Sequence, residues 1–135
     1  IILIYPIPET GWHVPKELYK TWKNNLIINF FKKDNNFKTI LYDNPITTSY
    51  EIYKKRSEST VKLFNFLNHE NLYKIFPEHI FCNNSNKGRC ITHTTDDIFY
   101  YDNIHLSEAG GALVNDLIIS ELIKALTILE VTAIG

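Results

Sequence analysis

Short continuous apolar runs alternate along this chain with longer segments in which apolar residues recur every three or four positions. The opening "IILIYPI" is β-branched and unbroken by polar residues, and it meets Pro6 and Pro8. Such a run predicts a central strand of a parallel sheet, covered on both faces and ending in a loop. In sheets of that kind the ligand crevice lies beyond the C-terminal ends of the strands. Pro15 suits the first turn of a helix. Leu18, Trp22, Leu26 and Phe30 follow at four-residue spacing, and "FKKDNN" supplies basic residues and then breakers, so an amphipathic helix is predicted to about Lys33.

From Thr47 to Asn68 a second helical pattern puts Tyr50, Tyr53, Ser57, Val61, Phe64 and Leu67 on one side. "EIYKKRSES" supplies the wet side, and Lys54, Lys55 and Arg56 read as a solvated face. "NLYKIF" is a short apolar run that returns to the sheet and stops at Pro77. "RCITHT", "TDD" and "IFYYD" predict two short strands around a turn. A terminal helix is expected from Ser107 to about Leu126, with Ala109, Leu113 and Leu117 on its apolar side. The order strand, helix, helix, strand, hairpin, helix predicts an α/β domain, with residues 1–135 forming one unit.

Composition narrows the partners. The 135 residues, 44% hydrophobic and 13% aromatic, can bury one modest core. Fourteen basic residues against fifteen acidic ones leave a net charge of -1, so no strong field favours nucleic acid or an anionic membrane surface. No run of eighteen apolar residues occurs, and the first apolar run is too short and lacks the basic leader of a signal peptide, so a soluble chain is expected. The sequence holds no methionine and opens directly in a strand, from which a portion of a longer polypeptide is expected. Cys82 and Cys90 bracket "CNNSNKGRC"; a small disulfide ring and two free thiols fit that spacing equally. No CxxC pair is present, and His69, His79 and His93 lack ligand spacing, so no metal site is predicted.

The densest cluster of reactive side chains is "YYDNIHLSEAGG", residues 100–111. Asp102 and His105 stand three apart in a tight segment before a helix. A local turn there brings the carboxylate against the imidazole Nδ1, fixes the tautomer and leaves Nε2 free to accept a proton. That pair is the base half of a serine-nucleophile machine. The same residues also suit a plain helix start, with Ser107 capping backbone N–H groups. Spacing alone leaves both readings open.

The longer string "YYDNIHLSEAGGALV" resembles the last sequence block of the SGNH hydrolase superfamily, in which a D-x-x-H pair precedes the C-terminal helix. A closer resemblance is to the SGNH domain fused to membrane-bound acyltransferases that acetylate O-antigen and other surface polysaccharides. It is carried by "IILIYPIPETGWHVP", "FCNNSNKGRC" and "FYYDNIHLSEAGG", in that order, over residues 1 to about 120. The resemblance implies a three-layer flavodoxin-like α/β fold with a parallel sheet, of which this chain is the C-terminal part. It implies Asp102 as orienting acid and His105 as general base, with Ser107 belonging to the "HLS" string and not acting as nucleophile. It also implies acyl, specifically acetyl, transfer to a cell-envelope glycan without a cofactor or metal. The partners would be an acyl donor, a polysaccharide acceptor and a membrane acyltransferase domain in the same polypeptide.

The implied location is the bacterial periplasm, as part of an inner-membrane protein, and that compartment favours a Cys82–Cys90 disulfide. Trp12 and His13, just past the first strand, are the candidate substrate contacts. One departure is plain: no G-D-S and no G-x-N-D occurs, so the nucleophilic serine lies outside this chain or the form is inactive. A sheet lacking its first strands is expected to expose an edge and an apolar face. The alternatives are a carbohydrate esterase of the same superfamily and a non-catalytic glycan-binding or interaction module.

Overall fold

A computed structural model of the chain describes residues 1–28, 37–43, 45–84 and 86–133. The first apolar run forms β1 (Ile2–Ile4), which pairs in parallel with β3 (Tyr73–Ile75) in the register Ile2 to Tyr73 and Ile4 to Ile75. The backbone bond from Tyr5 N to the Ile75 carbonyl extends this ladder by one residue. "NLYKIF" therefore returns to the sheet as its pattern predicts, and the α/β class with a small parallel sheet is present.

The expected central position of β1 is not what the described residues show. β1 has one partner, and Ile2 and Ile4 are exposed. A continuous apolar run signals burial on both faces but cannot say which segment supplies the cover.

α1 (Val14–Ile28) starts at Pro15's predicted place and buries Val14 and Leu18. It continues regularly to Ile28; the expected stretch to Lys33 lies outside the described residues. α2 (Phe37–Asp43), which no pattern had indicated, packs on α1 and buries Ile40 and Leu41.

The segment read as one helix from Thr47 is divided. Thr47–Ser49 form β2, antiparallel to β4 (Arg89–Ile91), and α3 (Tyr50–Phe66) begins only afterwards. The β-branched pair Thr47–Thr48 favours extended backbone, while Ser49 caps α3 by accepting from Ile52 N at 3.3 Å. Tyr53 and Ser57 are buried as expected, but Leu67 is exposed because the helix has ended at Phe66. The short α4 (Glu78–Phe81) delivers Phe81 to the core.

The predicted hairpin is likewise re-partnered. β4 pairs with β2, and "IFYYD" contributes only isolated bridges, His93 with Ile98 and Tyr100 with Leu106. A disulfide joins Cys82 to Cys90, closing the polar loop. α5 (Glu108–Ala133) is the terminal helix, longer than its apolar pattern indicated. The main buried cluster gathers Val14, Leu18, Leu41, Phe81, Phe99, Tyr100 and Val114 around that disulfide. At about 1.5–3 kcal/mol for each fully buried large side chain, this cluster is the principal source of cohesion.

Candidate active site

The turn at residues 101–105 forms because Asp102 can satisfy several donors at once. Its Oδ1 accepts from Ile104 N and His105 N, both at 2.8 Å, and its Oδ2 meets His105 Nδ1 at 2.7 Å. An aspartate bonding backbone two and three residues ahead is the local chemistry by which this residue type makes turns. Here the same carboxylate also holds the imidazole. Tyr101 N donates to the His105 carbonyl at 2.8 Å and closes the loop.

These three donors have an electrostatic consequence. The backbone and ring N–H groups of His105, followed by the backbone N–H of Ile104, hold the Asp102 carboxyl well below the usual carboxylate range. Asp102 is therefore an anion at any pH near neutrality. Its charge favours the tautomer with hydrogen on Nδ1, and Nε2 of His105 is left with its lone pair and no partner among the described residues. The His105 side chain is 70% exposed, against 26% for Asp102. The acid is sheltered and the ring it orients projects outward.

Long-range contacts fix where this turn sits. Thr10, itself buried, donates from its backbone N to the Asn103 carbonyl at 3.1 Å, and its hydroxyl lies between the carbonyls of Trp12 (2.6 Å) and Asn103 (3.0 Å). Val14 N donates to the Asp102 carbonyl at 3.2 Å. The proline-rich loop after β1 is secured by two buried tyrosines: Tyr53 donates to the Pro6 carbonyl at 2.7 Å and Tyr100 to the Pro8 carbonyl at 2.6 Å. Burial pushes both phenols far above the usual tyrosine range, so they act as permanent donors. The loop beyond β1 and the Asp-His turn are thus stitched together, with the turn held against Thr10 and Val14.

Trp12 and His13 lie between the two stitches. Trp12 is half-buried, packs on the core and borders an open surface pocket with Glu17, Thr21, Ile46 and Thr47. His13 is exposed, and its carbonyl accepts from Glu17 N at 3.1 Å at the start of α1. Their backbone is bracketed by the hydrogen bonds to Asp102 and Asn103; among the described residues no hydrogen bond or ion pair joins either side chain to the dyad. Ser107 does what a cap does: its Oγ accepts from Gly110 N at 3.2 Å and donates to the Ile98 carbonyl. The positioning residues Thr10, Tyr53 and Tyr100 escaped sequence reasoning, since their partners are 47 to 93 residues away.

The family profile described as "SGNH domain (fused to AT3 domains)" matches residues 1–120. The chain belongs to this SGNH family. Membership covers the strand and proline-rich loop, the disulfide loop and the Asp-His turn together, and the chemistry of the family is that of hydrolases and acyltransferases. No curated protein and no solved structure matches the chain.

Proposed function

We propose that this SGNH chain supplies the acid-base half of a serine acyl-transfer site, Asp102 as orienting acid and His105 as general base. The observation that carries the reading is the 2.7 Å contact of Asp102 Oδ2 with Nδ1 beside an exposed Nε2 that has no partner among the described residues. A purely structural dyad would instead tie both ring nitrogens into the fold. His93 is this chain's example of such a ring, since its Nε2 accepts from Ile46 N at 3.1 Å and its Nδ1 meets the Thr94 carbonyl at 2.8 Å.

In this mechanism a serine from outside the sequence gives its proton to Nε2 as its Oγ attacks the acyl carbonyl. The imidazolium that forms is stabilised by the Asp102 anion, which does not take up the proton. Collapse of the tetrahedral intermediate expels the donor's leaving group, and His105 returns the proton to it. A sugar hydroxyl then passes its proton to Nε2 and attacks the acyl-enzyme, yielding the esterified sugar and the free serine. Water in place of the sugar gives the esterase reaction.

The fusion partner named in the family description supports the transferase direction, with a membrane acyltransferase domain in the same polypeptide handing on the acyl group. Within this proposal the group is acetyl, the acceptor a cell-envelope glycan and the location the bacterial periplasm, where the Cys82–Cys90 disulfide persists.

The test is labelling of the chain, joined to its flanking sequence, with a fluorophosphonate that reacts only with activated serines. Strong labelling that disappears in His105→Ala is expected. A folded protein that does not label, or labels equally well without His105, refutes the assignment.

A further inference from the structure

We infer that the notch between the loop after β1 and α3 is a sugar-binding subsite, formed by Glu9, Arg56, Ser57 and Thr60 over Pro6 and Ile7. The cavity has a volume of about 140 Å³ and is walled below by the buried Tyr53. Arg56 is exposed, and its guanidinium also lies over the loop: a Cβ on Gly11 would stand 3.1 Å from Nη1. Gly11 has φ of +78°, a conformation that favours glycine, so the loop both takes its turn and admits the guanidinium at that residue.

The notch carries unspent hydrogen-bonding capacity. Arg56 and Glu9 border the same cavity, yet they form no ion pair with each other or with any described residue. The Thr60 hydroxyl has no side-chain partner among the described residues. Ser57 Oγ donates to the Tyr53 carbonyl at 2.9 Å and keeps its lone pairs available. A guanidinium that only donates and a carboxylate that only accepts, both lining one small cavity, match a ligand that can both accept and donate.

Vicinal hydroxyls on a pyranose meet that demand, donating to Glu9 and accepting from Arg56 and Thr60. The pyrrolidine of Pro6 and the Ile7 side chain offer an apolar surface to the C–H face of the ring. A simple anion suits the notch less, because Glu9 repels it. The subsite is connected to the dyad: Gly11 adjoins Thr10, whose bonds to Asn103 hold the Asp102–His105 turn. As a place for the acceptor glycan, the notch rests on the acyl-transfer reading; as a sugar site it stands alone.

The experiment is a heteronuclear NMR titration of the chain with neutral methyl pyranosides, and in parallel with sodium glucuronate and inorganic phosphate. Shifts at Ile7, Glu9, Arg56 and Thr60 are expected with neutral pyranosides, weakened at least about tenfold in both Arg56→Gln and Glu9→Gln. Both side chains are exposed, so neither variant threatens the fold. Binding of phosphate or glucuronate that strengthens in Glu9→Gln, without a response to neutral sugars, identifies an anion site and overturns the inference. Absence of any response at these residues overturns it too. Fluorophosphonate labelling is read separately: labelling without sugar binding removes the subsite alone, and sugar binding without labelling removes the acyl-transfer reading alone.

Discussion

Two adjacent glycines in the first turn of α5 should respond in opposite directions to the same substitution. Gly110 is buried, and a Cβ there would stand 2.2 Å from the Phe99 carbonyl oxygen, 3.0 Å from its carbon and 3.1 Å from Leu106 Cδ2. Nothing lies within 4 Å of the corresponding position on Gly111. The obstruction at Gly110 is backbone, which cannot rotate aside, and that carbonyl also accepts from Ser107 N at 2.9 Å. Gly110→Ala must push α5 away from residues 98–100 and break this bond with it. Overpacking costs about 1–3 kcal/mol and the lost hydrogen bond about 1 kcal/mol, so Gly110→Ala should destabilise by roughly 2–4 kcal/mol.

Gly111→Ala meets no obstruction and gains the helix preference of alanine, roughly 0.5–1 kcal/mol. With an unfolding entropy of about 2.1 cal/mol/K per residue, each kcal/mol shifts the Tm of a chain this size by about 3–4 °C. Thermal unfolding followed by circular dichroism should show Gly110→Ala lower by roughly 7–14 °C and Gly111→Ala higher by roughly 2–4 °C. Equal shifts, or a tolerated Gly110→Ala, would refute the close approach of α5 to Phe99.

Three other expectations follow from the same structure. Reducing the Cys82–Cys90 bridge, which spans a sequence separation of 8, should cost about 2.5 kcal/mol from loop closure, seen as a Tm lower by roughly 9 °C under reductant; an unchanged Tm would show that the bridge constrains nothing. Burial pushes the His93 pKa below 6.5 and outweighs the raising effect of the Thr94 carbonyl. The unfolded chain then takes up that proton first, so the stability owed to neutral His93 is complete above about pH 6.5 and is lost as pH falls through the lower folded value. An NMR titration placing His93 above 6.5 would contradict this. Asp102→Asn should leave the fold in place but reduce fluorophosphonate labelling by a factor on the order of 10³–10⁴, because the amide no longer holds the Nδ1–H tautomer; near-normal labelling would remove Asp102 from the mechanism.

What could be read in the sequence depended on the distance over which each residue acts. Asp102 and His105 pair across three positions, so the spacing that suggested a turn is enough to build it. β3 and α5 were legible from apolar period and flanking breakers. β2 was not, because Thr47–Ser49 become a strand only by meeting Arg89–Ile91, and a helical period running through Tyr50 and Tyr53 concealed the break. The cap at Ser49 was the local signal that marked it. Thr10 gave no signal at all: a threonine in a proline-rich loop is ordinary until Asn103, 93 residues later, accepts from it.

That division of labour explains how the dyad keeps its geometry. Orientation of the imidazole is set within five residues by one carboxylate with three donors, so it needs nothing from the remainder of the site. Position is set separately, by the bonds from Thr10 and Val14 that hold the turn to the loop beyond β1. In the proposed mechanism a general base must be in place before its nucleophile's proton can be taken, and the turn provides both orientation and position. The exposed edge of β1, with Ile2 and Ile4 uncovered beside it, is where a further parallel strand can add through backbone hydrogen bonds and apolar burial. In the proposed acyl-transfer mechanism, a serine reaching Nε2 of His105 therefore meets a ring already oriented by Asp102 and already held against the loop beyond β1.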